Sequence, residues 1–168
     1  MAAGLLPRQT MNAHLRATRA TLAAGATCGT LDFAAACVYS AALGGTPVRV
    51  AQSVASGLLG REAFAGGAGS AALGVLLHFL IATAAAGVFV LASRWIGFLL
   101  ERPILSGLLY GAAVYFFMAF VVVPLSAAPP GSPTLLRRAV MLGIHLLFVG
   151  LPIALVARRR LRPERAAS

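Results

Sequence analysis

Four apolar stretches dominate the chain, at Ala20–Leu43, Ala71–Ser93, Ile104–Leu125 and Leu136–Ala157. About 20 apolar residues of helix cross the ~30 Å of a bilayer's hydrocarbon. In that medium every backbone N–H and C=O must find a partner inside the protein, so each crossing has to be a helix. The sequence therefore predicts an all-α, integral membrane four-helix bundle, a single membrane domain over residues 1–168. With 60% hydrophobic and 11% charged residues and a mean hydropathy of +0.88, the chain has too little polar surface for a soluble domain of this size. The first stretch is the most polar, carrying Thr21, Thr27, Thr30, Asp32, Tyr39 and Ser40, so three spans plus one surface segment is the alternative. Met1–Arg19 contains no apolar core of a cleavable leader, and the first stretch is expected to remain as an anchor.

All 14 basic residues are arginine, and the formal net charge is +10. Such a charge suits a nucleic-acid partner only when it sits on a folded polar domain. Here the arginines flank the apolar stretches, which is the pattern that orients membrane helices, so no nucleic acid is expected. Arg8, Arg16, Arg19, Arg94, Arg102, Arg158, Arg159, Arg160, Arg162 and Arg165 fall on one side, against Arg49, Arg61, Arg137 and Arg138 on the other. Both termini are then cytoplasmic and residues 158–168 form a basic tail. Arg158, Arg159 and Arg160 also attract anionic lipid of the bilayer. Trp95 and Tyr110 fall near the same interface, where aromatic rings anchor.

The link between the first two stretches has a pattern of its own. Thr46–Pro47 reads as an N-cap with proline at the first helical position, and Gly60 as a stop. Between them Val50, Val54 and Leu58 recur every fourth residue, with Arg49, Gln52, Ser53 and Ser56 on other faces. A short amphipathic helix is predicted over 47–59, lying on the outer face or dipping into it. Gly66, Gly67 and Gly69 make a joint before Ser70 caps the second span, and Ser132–Pro133 repeats the N-cap and N1 pairing before the fourth. Gln52 and Glu62 are expected in solvent.

Candidate functional residues are few. Gly25, Cys28, Gly29, Asp32, Ala36 and Tyr39 share one face of the first stretch, at i, i+3 and i+4 spacing. Gly25-x-x-x-Gly29 and Gly107-x-x-x-Gly111 let a neighbouring backbone come close, with Asp32 and Tyr115 one turn beyond. The expectation is close packing within one bundle, with a homo-dimer interface as the alternative. Asp32 stands near mid-membrane, where a charge costs roughly 2.5–3.5 kcal/mol on insertion scales and needs compensation. His78 and His145 fall within a few ångströms of its depth, by the 1.5 Å helical rise. Asp32, His78, His145 and Tyr115 therefore define a candidate intramembrane polar cluster.

Three readings of that cluster follow from its chemistry. An Asp–His hydrogen bond would fix helix register; a carboxylate and imidazole would pass a proton in a coupled transporter; two histidines and a carboxylate would bind a metal. No H-x-x-x-H or E-x-x-H spacing supports a metal, so no metal or other cofactor is expected. No G-x-S-x-G, P-loop or paired carboxylates mark an enzyme, so no catalytic residue is assigned. Cys28 and Cys37 lie ~13 Å apart along one helix, too far for a bridge, and read as small core residues. Pro152 should kink the fourth stretch and free the Phe148 carbonyl.

Ala55-Ser-Gly-Leu-Leu-Gly60, Leu77-His-Phe79, Leu91-Ala-Ser-Arg94, Arg102-Pro103, Gly107-Leu-Leu-Tyr-Gly111, Val121-Val-Val-Pro-Leu-Ser126 and Ile144-His145 together resemble a family of small, uncharacterised four-span bacterial inner-membrane proteins. The resemblance covers roughly residues 30–157. It implies the four-span fold and a bacterial inner (plasma) membrane location, and brings no activity or functional residue. The sequence reading is thus a small, non-enzymatic, multi-pass membrane protein whose buried Asp/His cluster is structural. The alternative is a proton-coupled small-molecule or ion transporter using Asp32 with His78 or His145.

Overall fold

The computed structural model describes residues 5–162, which are all-α, with no strand among them. Four helices are long and apolar enough to cross a membrane: span one Met11–Ala42, span two Gly67–Ala92, span three Pro103–Leu125 and span four Leu135–Leu161. Span one is the membrane part of a longer helix, Leu5–Ala42, that begins well before the first apolar stretch. Span four likewise runs through Arg158, Arg159 and Arg160, so the basic tail expected from residue 158 is helical at its start. Residues 163–168, with Arg165, lie outside the described residues, as does the side chain of Arg8.

Span one packs between spans two and four, and span three packs along span four. Span three closes toward span two through Tyr110, whose hydroxyl donates to the Ala85 carbonyl at 2.6 Å and whose ring meets Phe89 edge-on at 5.1 Å. Tyr110 is therefore a bridge inside the bundle and not an interfacial anchor. Its hydroxyl needs a partner at that depth, and a span-two carbonyl is within reach. Trp95, 74% exposed in the link after span two, is free to take the anchoring place.

The core is built of small side chains. Ala20, Ala24 and Cys28 recur along span one and pack with Ala86, Phe89, Ile153, Ala154 and Ala157. Leu76, Leu80, Val88, Leu109, Phe116, Phe117, Phe120 and Leu147 face outward. Lipid tails are as apolar as leucine, so nothing drives the large residues inward, and close backbone approach decides the interfaces instead. The closest approach joins spans three and four. A Cβ at Gly150 would overlap the Gly107 carbonyl oxygen and the Gly111 backbone nitrogen, and one at Gly107 would stand 2.9 Å from the Leu151 Cα. Both glycine pairs work within the bundle: a Cβ at Gly25 would meet the Thr83 Cα at 2.7 Å, and one at Gly29 the Phe79 ring at 2.9 Å.

The helix Pro47–Leu59 between spans one and two begins as its sequence predicts. The Arg49 N–H donates to the Thr46 hydroxyl oxygen at 3.3 Å, Pro47 occupies the first turn, and Gly60 ends the helix at φ +60°. Its inward face differs from the predicted one. Ala51, Gln52, Ala55 and Ser56 are buried, whereas Leu58 and Leu59 are exposed. A carbonyl explains the difference: Ala51 sits against Gly74, where no Cβ could be accommodated, so the small face goes inward. Gln52, 4% exposed, is not in solvent; its amide donates to the Gly67 carbonyl at 3.1 Å and to the Ser70 hydroxyl at 3.4 Å. Ser70 does not cap span two but lies in its first turns and donates to the Ala63 carbonyl at 2.6 Å. Before span four, Thr134 is the cap in place of Ser132, accepting from the Arg137 N–H at 3.2 Å.

Spans three and four each widen into a π-turn just before a proline, over Met118–Val122 ahead of Pro124 and over His145–Gly150 ahead of Pro152. The Val123 N–H reaches back five residues to the Met118 carbonyl, and the Leu151 N–H to the Leu146 carbonyl. Each proline lacks an N–H and crowds the carbonyl four residues back. The wider turn upstream absorbs that misfit, the break expected at Pro152 taking the form of one extra residue in a turn.

Gly150→Ala is expected to lower the thermal unfolding midpoint in detergent by an amount equivalent to about 1–3 kcal/mol or more, because its Cβ meets backbone. Gly143→Ala, on the same helix but with nothing within 4 Å, should stay within about 0.5 kcal/mol of wild type. Equal midpoints for the two variants would remove the glycine contact from its central place.

Candidate functional site

Asp32, His78 and His145 come from spans one, two and four, and all three line one cavity of about 200 Å³. Span three contributes Val114 and Met118, and the connecting helix contributes Val54. Helix periodicity explains the convergence. Asp32 lies one turn beyond Cys28, at the end of the small buried face of span one, and Cys28 and Ala82 form part of the cavity wall. The π-turns supply the other side, since Met118 opens one and His145 and Val149 belong to the other.

His78 and Asp32 form the closest pair, with Nε2 3.9 Å from Oδ2 and both side chains largely buried, at 13% and 18% exposure. This is an ion-pair distance and too long for a hydrogen bond. The Nε2–H of His78 is used elsewhere, donating to the Gly29 carbonyl at 2.9 Å. A carbonyl can only accept, so the proton of the neutral ring sits on Nε2 and the lone pair on Nδ1. Phe33 and Phe79 flank this imidazole, at centroid distances of 5.2 Å and 5.5 Å, and hold its plane. Among the described residues nothing donates a hydrogen bond to the Asp32 side chain.

His145 is held differently. Its Nδ1–H donates to the Met141 carbonyl one turn earlier, at 2.9 Å, which leaves Nε2 as the lone-pair nitrogen of the neutral ring. It makes no ion pair with Asp32 within 4.0 Å, yet it faces the same cavity. Tyr115 packs its ring edge-on against His145 at 5.5 Å without lining that cavity. It lines a second cavity instead, of about 730 Å³, under the Pro/Gly link between spans three and four, with Arg137 and Arg138 at its rim. The Tyr115–His145 pair is thus the partition between the two cavities.

No three His, Cys, Asp or Glu side chains among the described residues gather closely enough to form a metal-holding group. Cys28 is buried, with its thiol 3.5 Å from the Gly25 carbonyl, and Cys37 is half-buried; both are free thiols. The arrangement therefore sets a carboxylate and two imidazoles around one cavity with no direct hydrogen bond between them, so a proton would pass between them only through a guest or water in that space. Two contributors escaped the sequence reading. Val54 is read in the sequence only as part of the connecting helix's apolar stripe, and Met118 carries no chemical signal until the π-turn directs it to the cavity.

At the Arg-rich end, Arg162 pairs with Glu101 at 3.3 Å, and an Arg158 N–H donates to the Glu101 carbonyl at 3.5 Å. Both are exposed contacts of small energetic weight. They nonetheless occupy part of the Arg158–Arg160 cluster proposed for lipid.

His78→Ala is expected to lower the unfolding free energy by about 1–3 kcal/mol, because the Gly29 contact is lost and Asp32 loses its neighbour. Asp32→Asn, which removes no hydrogen bond among the described residues, should leave the unfolding midpoint unchanged or raise it. A fall for Asp32→Asn as large as that for His78→Ala would make the carboxylate a structural group.

No family model, curated protein or solved structure matches the chain, so what the cavity does has to be inferred from its own geometry.

Proposed function

We propose that this is a non-enzymatic protein of a bacterial inner membrane whose Asp32–His78–His145 cavity is a proton-coupled site for a small ion or solute. The observation that carries this reading is the cavity itself: titratable side chains from three spans share about 200 Å³. A carboxylate that served only to fix helix register would be expected to accept a hydrogen bond, and among the described residues Asp32 accepts none. At ~30 Å³ per water molecule the space holds on the order of half a dozen waters, below the ~300 Å³ at which drug-sized pockets begin. A monovalent cation with part of its hydration shell, or an equally small solute, fits the space and the carboxylate. Protonation of Asp32 would compete with that cation for the same charge, which is how uptake of one couples to release of the other.

The two π-turns support a site of this kind, because wide turns inside helices recur where function needs a break in regular geometry. The Arg16, Arg94, Arg102 and Arg158–Arg162 end of the bundle is taken as the cytoplasmic side. The cavity then lies toward the other face, under Val54 of the connecting helix and one Tyr115–His145 layer from the second cavity. A second reading keeps the cluster structural, favoured by the His78–Gly29 bond that ties span two to span one.

Liposomes containing the purified protein and a trapped pH-sensitive dye distinguish the two. With a pH gradient imposed, external sodium, potassium or small organic cations should collapse it faster than in empty liposomes, and Asp32→Asn should return the rate to the empty-liposome value. An Asp32→Asn protein that is folded and collapses the gradient like wild type would leave only the structural reading.

A further inference from the structure

A second pair of cavities lies at the Arg-rich end, away from the Asp32 site. The larger, about 500 Å³, opens between spans one, two and four, and its polar lining residues are Asn12, Arg16, Ser93 and Arg94. Leu100 and Leu161 are among its apolar lining. The smaller, about 330 Å³, runs on along the seam of spans one and two past His14, Thr18, Thr21, Leu22, Gly87 and Leu91. The two share Ala17, Val90 and Arg94, so Arg94 stands where the charged chamber meets a mainly apolar groove.

Orienting a helix requires only that arginines sit beyond its end, in water. Here Arg16 of span one and Arg94 of the link after span two, both exposed, line one chamber. A guanidinium presents a planar fork of donors that matches phosphate oxygens, and two such groups can bind one phosphate together. The groove beyond offers the opposite chemistry. Leu22 and Leu91 are half exposed, and Gly87 supplies no side chain, a Cβ there coming no nearer than 3.5 Å to the Thr21 methyl. A chamber for an anion leading into a furrow for hydrocarbon is complementary to one molecule, an anionic amphiphile aligned with the helices.

We propose that the seam between spans one and two is a binding site for a phosphate-bearing lipid, its headgroup held by Arg16 and Arg94 and one acyl chain lying along Gly87. This site is distinct from the exposed Arg158–Arg160 cluster, part of which is engaged by Glu101. It does not depend on what the Asp32 cavity binds.

The test is thermal unfolding of the full chain in an uncharged detergent, titrated with phosphatidylglycerol, phosphatidylcholine or inorganic phosphate. Phosphatidylglycerol should raise the midpoint in a saturable way, and the other two should not. Arg16→Gln/Arg94→Gln should weaken the apparent affinity about tenfold or more, the loss expected when charge-assisted hydrogen bonds are removed. Arg159→Gln/Arg160→Gln should keep the affinity of wild type. Gly87→Leu, which retains both arginines and fills the groove, should also weaken it, and it serves as the deciding variant if the double arginine variant does not fold. An equal shift with phosphatidylcholine would overturn the headgroup assignment, and an equal shift with inorganic phosphate would replace the lipid by a soluble anion. Undiminished affinity in both Arg16→Gln/Arg94→Gln and Gly87→Leu would overturn the site.

Discussion

Backbone contact between Gly107 and Gly111 of span three and Gly150 of span four is the constraint from which the rest of the bundle follows. With no Cβ on either side, the two helices meet along their main chains, and the Gly111 backbone lies against His145 and Leu146. That approach sets the depth and rotation of His145. It also sets the distance from which Val149 and Met118 can wall the cavity. Between helices in lipid there is no hydrophobic gain from burying leucine, so dispersion between closely fitted backbones has to supply the association. Glycine is needed at these positions for room, and ordinary right-handed helical backbone runs through all three.

The second consequence is an uneven interior. Spans that touch through glycine and alanine cannot also fill every gap, and where they part a cavity remains. Here it forms at the level where two prolines force wide turns and where three polar side chains point inward. His78 and His145 satisfy themselves on carbonyls of spans one and four, and Asp32 is left facing the space. A carboxylate so placed within a membrane-spanning helix, with no hydrogen-bond donor among the described residues, is costly unless a guest or neighbour compensates it.

Much of the architecture was legible because it is written in local properties. Length and hydropathy located four apolar helices, with every end but one within about four residues and the start of span one nine residues late, and Thr46–Pro47 announced the connecting helix. Helical rise placed Asp32, His78 and His145 at one depth. The misreadings share a cause. Span one starts earlier than Ala20 because helix formation does not stop where hydropathy falls, and Asn12 to Arg19 continue it. The face of the connecting helix was judged from its largest apolar residues, which is the rule for water-soluble surfaces. In the structure its small face docks on Gly74, which no G-x-x-x-G pair marks. Gln52 reads in the sequence as solvent-facing, Ser70 as a helix cap and Tyr110 as interfacial, yet each finds a carbonyl or hydroxyl on a neighbouring element that no sequence spacing relates to it.

By itself the sequence determined the medium, the number of crossings and the levels at which polar groups enter the membrane, because these depend on residue type and on distance along one helix. Only the tertiary structure decided that three of those groups face one cavity, that Tyr115 stands outside it, and that Arg16 and Arg94 share a chamber. Those facts depend on how far each helix is rotated about its own axis. That rotation is set by glycine contacts and proline-induced wide turns acting across the whole bundle at once.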